Sequence, residues 1–474
     1  MNSVWQQLTL SNLQLYQWRG ASYLYQLVGL LQSWRRGSWL MQWAEPIGAL
    51  LVAIVFALAP FVSKGARASS NPLLGVLLFA AGAFWVLLTL SDESQPRQGS
   101  LPKVTPIHLL VLLYWGIATA ATALSPVKKA AASGLGKLTL YLLFFALMAR
   151  VLKSRRIRSW MIGLFLHVSL IVSIYGIRQW FFGAKALATW VDPESPSGHL
   201  KRVYSYLGNP NLLAGYLIPA IALSLVAVFI WQRLLPKALA LTMFVVNSIC
   251  LVMTFSRGGL IGFVVCLFVL LILLVYWYSV QLPAAWRPWA IPVLLGGCAG
   301  VIILAVLFIE PLRTRVASMF VGRKDSSNNF RMNVWSSVIQ MISDRPIIGI
   351  GPGNSAFNKV YPEYMQARFS ALSAYSIFLE IIVETGLIGL SCFLWLLVVT
   401  FNQGVQQLRR LRTLANRDGL WLVGAIAAMS GMLAHGLVDT VWYRPEVTTL
   451  WWLMVAIIAS FYVAPSADTS RVEG

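Results

Sequence analysis

Long apolar stretches dominate this chain and decide what it can fold into. About twelve of them are long enough to cross a bilayer, which takes about 20 apolar residues in a helix. They lie near 45–64, 72–91, 105–124, 134–151, 159–179, 211–231, 237–255, 259–279, 288–309, 376–401, 419–440 and 446–464. Backbone polar groups in lipid must be satisfied within the segment, and these stretches lack the alternation of barrel strands. The sequence therefore predicts an all-α polytopic membrane protein with about 12 transmembrane helices.

Composition and charge agree with this class of protein. The 474 residues are 58% hydrophobic and 11% charged, whereas a soluble domain carries about 25% charged residues. The net charge of +21 lies in short loops between apolar stretches, where it sets orientation and contacts lipid head groups. The predicted partner is the lipid bilayer and not nucleic acid. Cysteine and histidine lack metal-ligand spacing, so neither a metal nor another cofactor is predicted.

Basic residues also predict the orientation of the chain. Clusters at 150–158, 233–237 and 409–417 follow the fourth, sixth and tenth apolar stretches, so all three lie on one face. The positive-inside rule makes that face cytoplasmic. We therefore expect a multi-pass protein of the inner (plasma) membrane with both termini in the cytoplasm.

Three parts of the chain follow from this layout. Residues 1–43 are rich in Trp and Arg, which is typical of a cytoplasmic or interfacial segment. Residues 44–464 form the transmembrane domain, and its large outer loop at about 311–375 is expected to contain short helices. Residues 465–474 are expected to be a disordered tail.

Two short polar motifs on the outer side are candidates for binding an anion. In the first, Asn209 and Pro210 break the chain, Asn211 can cap the following helix, and Arg202 lies nearby. The second places Arg257 at a tight turn near membrane depth, where a charge is usually paired or functional. Each motif has a structural alternative, which is a helix cap for the asparagines and a snorkelling anchor for the arginine.

The large outer loop supplies another arginine. Apolar residues at helical spacing predict a helix that Asn328 or Asn329 caps and that ends at Asp344. Arg331 falls in its first turn, where the helix dipole favours an anion. Glycines within 349–353 predict a turn, which is only a weak phosphate signal because the spacing is not that of a Walker loop.

Carboxylates follow in the next apolar stretches. Glu380 and Glu384 are four residues apart and share a helix face. Carboxylates within the membrane are usually functional, and Arg257 or Arg331 is the expected partner. The alternative is a structural ion pair. At the end of the eleventh stretch, Asp439 and Arg444 are close enough in sequence to pair across the outer turn.

These motifs resemble the O-antigen ligase and polymerase superfamily. The matching elements are Gly208–Asn211, Ser256–Gly258, Arg331, Trp335, Pro346, Gly349–Gly351 and Leu379 with Glu384–Leu387. The resemblance implies that Arg257 and Arg331 hold the diphosphate of a lipid carrier during a metal-independent transfer. Tyr375 and Ser376 occupy the positions of the superfamily's His-Asn pair. A phenol with a pKa of about 10 is a poor base at neutral pH, so no catalytic residue is predicted.

A narrower resemblance is to the cyanobacterial IctB-type family of bicarbonate transporters. It is carried by residues 203–211, 325–331 and 371–376. It implies bicarbonate transport or accumulation through an outward-facing, arginine-lined anion site. The alternative is a glycosyltransferase acting on an undecaprenyl-diphosphate-linked saccharide. Under both interpretations the candidate anion-binding residues are Arg202, Asn209, Asn211, Arg257, Arg331, Tyr375, Glu384 and Arg444.

Overall fold

The computed structural model describes residues 2–11, 13, 27–62, 72–92, 104–183, 202–317, 322 and 326–463. All secondary structure within these ranges is helical, so the predicted all-α fold is confirmed. The α-helices are α1 (Asn2–Leu8), α2 (Gln32–Gly37), α3 (Trp39–Gln42), α4 (Ala44–Val62), α5 (Pro72–Leu90), α6 (Pro106–Ala123), α7 (Lys128–Val151), α8 (Arg155–Phe182), α9 (Pro210–Ile230), α10 (Leu234–Met253), α11 (Arg257–Tyr278), α12 (Arg287–Phe308), α13 (Glu310–Ala317), α14 (Ser326–Asp344), α15 (Asn354–Val360), α16 (Ile377–Thr413), α17 (Leu420–Gly436) and α18 (Pro445–Ser460).

The apolar stretches form the predicted membrane-spanning helices. Among the described residues, eleven helices are long and apolar enough to cross a membrane. The last predicted stretch forms α18, which is shorter at 16 residues. This finding confirms a polytopic membrane protein.

Helices α9, α17 and α18 form the buried centre of the bundle. Small residues let the neighbouring helix α11 approach α17 closely. A Cβ atom added to Gly262 would lie 2.6 Å from the carbonyl oxygen of Gly431, so the two backbones are in contact. Such small-residue contacts are typical of helix packing in membranes. By contrast, no residue described in α12 is buried, and this helix lies at the periphery.

Helix α16 is broken at Gly386, which has φ 69° and ψ −172°. Its free backbone groups are satisfied by the loop between α14 and α15. The N–H of Leu387 donates to the carbonyl of Pro346 at 2.8 Å. The N–H of Gly351 donates to the carbonyl of Glu384 at 2.9 Å. The glycine-containing turn predicted in this loop is therefore hydrogen-bonded to the break in a transmembrane helix.

The helices of the large loop pack around a second apolar core. Val334 and Val338 of α14 contact Phe357 of α15 and Ala131 near the start of α7. This core fixes α14 against the bundle at the end where α9, α11 and α18 begin.

The predicted end of α14 at Asp344 agrees with the structure, but the predicted start was wrong. The helix begins at Ser326, so Asn328 and Asn329 lie in its first turn instead of capping it. The amide of Asn328 is thereby available to the neighbouring helix α11.

The opposite end of the bundle contains a cluster of ion pairs. Arg150 contacts Asp92 at 2.6 Å and Glu45 at 3.2 Å, and Arg35 contacts Asp92 at 2.7 Å. These contacts fix α2 of the N-terminal segment to the ends of α4, α5 and α7. The interfacial location of that segment stays a prediction, and the predicted tail lies outside the described residues.

Candidate functional site

Five chain segments converge at one end of the bundle and bring most of the predicted site residues together. They are the approach to α9, the turn before α11, the first turn of α14, the loop before α16 and the turn between α17 and α18. Each segment contributes a polar or charged side chain. The site therefore depends on packing between helices that are distant in sequence.

Arg202 links the approach to α9 with the end of α10. Its Nε atom donates to a backbone carbonyl there at 2.9 Å, and its Nη2 atom donates to Oδ1 of Asn211 at 3.0 Å. Loss of water contacts lowers the pKa of Arg202 to about 10. The charges of Arg331 and Arg257 act in the same direction, and that of Asp439 opposes them. The guanidinium stays charged at neutral pH, with other cations close to it.

The two asparagines at the start of α9 have different roles. Asn209 caps the helix, because its Oδ1 atom accepts from the N–H of Asn211 at 2.8 Å. The expectation that Asn211 is the cap was therefore wrong. The side chain of Asn211 accepts from Arg202 and donates to Oδ2 of Asp439 at 2.6 Å. Because Asn209 supplies the cap, the second asparagine can connect an arginine to a carboxylate.

Asp439 is also paired with a cation from α14. Its Oδ2 atom lies 3.5 Å from Nη2 of Arg331, and the side chains of Asp439 and Arg331 are 8% and 13% exposed. The Nη1 atom of Arg331 donates to Ser327 at 2.9 Å, whereas its buried Nε atom has no hydrogen-bond partner among the described residues. Within the described chain Asp439 makes no contact with Arg444, so the suggested pair between them is not formed. Arg202, Asn211, Asp439 and Arg331 instead form a continuous chain, which we call the arginine network.

Arg257 lies beside the arginine network at the start of α11. Ser256 caps this helix, since its Oγ atom accepts from the N–H of Gly259 at 3.1 Å. Arg257 is only 5% exposed, and its Nη1 atom donates to Oδ1 of Asn328 at 2.7 Å. This hydrogen bond holds α11 against the first turn of α14, which also carries Arg331. The tight turn predicted at Arg257 is present.

A small pocket lies next to the arginine network. It is lined by Asn209, Asn211, Leu212, Leu372, Ser373, Tyr375, Asp439, Val441 and Tyr443. Of these lining residues, Asp439 is the only one with a carboxylate. Sequence reasoning placed Asn209, Asn211 and Tyr375 at such a site but missed Ser373, Asp439 and Tyr443. The acidic residue next to a predicted outer turn was the one available signal.

Tyr375 lines the pocket from the loop before α16. It adopts a left-handed backbone conformation with φ 50°, and its ring meets that of Phe330 edge-on at 5.2 Å. Burial raises the pKa of the Tyr375 phenol above its ordinary value, and the charge of Asp439 acts in the same direction. The hydroxyl is therefore neutral at physiological pH and can donate a hydrogen bond, but it is not a base.

The two carboxylates of α16 accept hydrogen bonds from the backbone of the loops around the site. Oε1 of Glu384 accepts from the N–H of Gly353 at 2.7 Å, and Oε2 of Glu380 accepts from the N–H of Ala374 at 2.5 Å. Neither contacts an arginine of the described residues, so the expected pairing with the outer arginines is not observed. Both side chains instead hold loop backbone in place.

Arg444 lies at the edge of the pocket. Its guanidinium carbon is 5.6 Å from the ring centroid of Tyr443, a pocket-lining residue. This contact places its charge near the pocket through the tyrosine.

Comparison with known proteins finds a match to a protein family. A model of the O-antigen ligase family matches residues 242–394, about a third of the chain. The matched part contains Arg257 and Arg331 but not Asn211 or Asp439. No curated protein sequence matches the chain. The family match supports the resemblance to the O-antigen ligase-like superfamily.

Proposed function

We propose that this protein binds the diphosphate of a lipid-linked saccharide at the arginine network and transfers the saccharide to an acceptor hydroxyl. One observation carries the proposal: Arg331 pairs directly with the carboxylate of Asp439 beside a pocket, and Arg202 from a separate segment is linked to the same carboxylate through Asn211. Two guanidinium groups exceed the charge of one carboxylate. Arginine suits phosphate oxygens because its planar group can donate two parallel hydrogen bonds. The family match to residues 242–394 supports the same chemistry.

The lining of the pocket suits a saccharide. The amide and phenol groups of the lining can donate hydrogen bonds to sugar hydroxyls.

The proposed transfer needs a leaving group and a base. The acceptor oxygen bonds to the anomeric carbon while the bond from that carbon to the diphosphate oxygen breaks. The diphosphate leaves with the electron pair, and its charge is stabilised by Arg331 and by Arg257 beside the arginine network. Asp439 is the carboxylate of the pocket lining and accepts the proton of the acceptor hydroxyl. Tyr375 cannot take this role because its phenol is neutral.

The proposed location is the inner membrane, with the arginine network on the outer face and both termini in the cytoplasm. The basic clusters of the other end support this orientation by the positive-inside rule. At that end Arg155 and Arg158 both contact Asp418 at 3.0 Å, and Arg150 is paired as described above.

Binding of a lipid-linked donor tests this function. The purified protein in lipid nanodiscs would be titrated with an undecaprenyl-diphosphate-linked saccharide. Arg331→Ala should weaken binding roughly 10- to 150-fold, since a hydrogen bond to a charged group contributes about 1.5–3 kcal/mol. Arg345→Ala is the matched control, because that exposed arginine donates only to a backbone carbonyl at 3.4 Å.

Bicarbonate transport, which the narrower resemblance implies, can be tested with the same purified protein. Liposomes that contain the protein would be loaded with isotopically labelled bicarbonate and followed for its release. A flux that Arg331→Ala abolishes, together with no measurable donor binding, would overturn the transferase proposal in favour of transport.

A further inference from the structure

The transferase chemistry leaves one buried titratable side chain without a role. His435 lies in the last turn of α17 with 0% of its side chain exposed, and neither ring nitrogen has a hydrogen-bond partner in the described structure. Roughly 90% or more of buried polar groups in proteins have such a partner. An unsatisfied buried polar group destabilises the fold, so this imidazole needs a physical explanation.

Two glycines hold the ring in one position. A Cβ atom added to Gly258 of α11 would lie 2.6 Å from Cδ2 of His435 and 3.2 Å from its Nε2. A Cβ atom added to Gly215 of α9 would lie 3.5 Å from its Nδ1. The imidazole therefore occupies a slot between α9 and α11, and a larger residue at Gly258 would close that slot.

The slot lies next to the arginine network. Gly258 follows Arg257 in the chain, and Gly215 is one helical turn after Asn211. His435 itself precedes Asp439 by four residues. Each of the three segments around the imidazole therefore carries a residue of the candidate site within about one helical turn. These residues are Arg257, Asn211 and Asp439.

The charged surroundings of His435 belong to the same site. Asp439 of its own segment and Arg331 of α14 are both near enough to interact with it electrostatically. Helix α11 contributes Arg257 next to the slot, and α9 contributes the uncharged Gly215. A proton on the imidazole is therefore attracted by the carboxylate of the pocket and repelled by the arginines.

We propose that His435 is a positioning residue for the transfer, acting through Asp439, and this inference rests on the function proposed above. The acceptor hydroxyl gives its proton to Asp439 as its oxygen bonds to the anomeric carbon. The proton then passes through one bridging water molecule to the neutral imidazole, which restores the carboxylate. After the product leaves, the proton returns to solvent through that water and the pocket, because the imidazole itself is fully buried. The bridging water also fixes the orientation of Asp439, as the third member of a catalytic group orients its base.

Substitution of the imidazole separates this role from simple packing. His435→Gln keeps a hydrogen-bonding side chain of similar reach but does not accept a proton at neutral pH. We expect donor affinity within about twofold of wild type and a turnover lower by roughly 100-fold or more, the usual contribution of a proton-transfer group. The acid limb of the pH–rate profile should also move to the pH range set by Asp439 alone. His108→Gln is the matched control, because His108 hydrogen-bonds Thr105 at the start of α6, away from the site.

A second measurement remains informative if the variant is unstable. The chain has 4 histidines, so ¹⁵N-labelled histidine gives few NMR signals, and the one missing from His435→Gln identifies the residue. Asp439→Asn should shift the ring resonances of His435 and its titration, whereas the signal of His108 should not move. Unchanged His435 resonances in Asp439→Asn would overturn the proposal.

The outcomes also distinguish this inference from the function on which it rests. A wild-type protein that transfers saccharide while His435→Gln is equally active overturns only the role of the histidine. The same holds if turnover falls equally at every pH together with a lower melting temperature. A wild-type protein that binds no lipid-linked donor overturns the transferase function and the histidine's role with it.

Discussion

Substitution of Gly386 by alanine tests whether the break in α16 and the loop beside it form one unit. A Cβ atom at this position would lie 2.0 Å from the carbonyl oxygen of Ile347 and 2.4 Å from the backbone nitrogen of Ile348. Both contacts are with backbone, so no side-chain rotation can relieve them. The loop has to move away from the helix, and the hydrogen bonds between them have to break.

The size of the effect follows from those bonds and from the backbone conformation. Three hydrogen bonds of 2.8, 2.8 and 2.9 Å cross from the loop to α16. At about 0.5–1.5 kcal/mol for each bond and 1–3 kcal/mol for alanine at this φ and ψ, the loss is about 3–7 kcal/mol. With about 2.1 cal/mol/K of unfolding entropy per residue, a chain of this length loses about 3–7 °C in melting temperature.

Thermal unfolding of the purified protein in detergent measures this loss. Gly136→Ala is the matched control, because a Cβ atom there meets nothing within 4 Å. Alanine in that interior helical position should leave stability unchanged or raise it by up to about 1 kcal/mol. A melting temperature for Gly386→Ala within 1 °C of wild type would show that loop and helix are not coupled as described.

Three further perturbations address the site and the topology. Tyr375→Phe should reduce turnover by much less than the roughly 100-fold that removal of a general base causes, because the phenol is neutral. A steady-state assay measures this loss, and a loss of roughly 100-fold or more would show that the tyrosine acts as a base. Glu384→Ala leaves the N–H of Gly353 without its acceptor and should lower stability by about 1–3 kcal/mol, with donor affinity unchanged in binding assays; weaker binding would place the glutamate in the site. A cysteine at Lys128 should react with a membrane-impermeant maleimide added outside cells, whereas one at Arg410 should not; the reverse pattern would invert the proposed orientation.

The helices could be predicted from the sequence because the bilayer constrains each segment separately. A stretch that must satisfy its own backbone in lipid forms a helix irrespective of its neighbours. The same local logic predicted the tight turn at Arg257 and the end of α14 at Asp344. These features depend on residues within one or two turns.

The connections of the site could not be predicted, because they join residues far apart in the chain. Asn211 and Asp439 are separated by 228 positions, so their hydrogen bond had no local signal. The cap at Asn209 did have one, because Pro210 is favoured at the first helical position. Glu384 was expected to meet an arginine because buried carboxylates often do. Its actual acceptor role for Gly353 depends on the break at Gly386, which a loop from another part of the chain stabilises.

The division of the candidate site among five segments limits how this protein can be shortened or recombined. A fragment cut to residues 242–394 would keep every position matched by the family model, yet it would lose the asparagines at the start of α9 and the acid after α17. If this fragment replaced the matching part of a related protein, the host protein's own helices would determine whether Arg331 contacts a carboxylate. Chimeras should therefore be joined outside α9 and α18, so that the partners of each arginine move together with it.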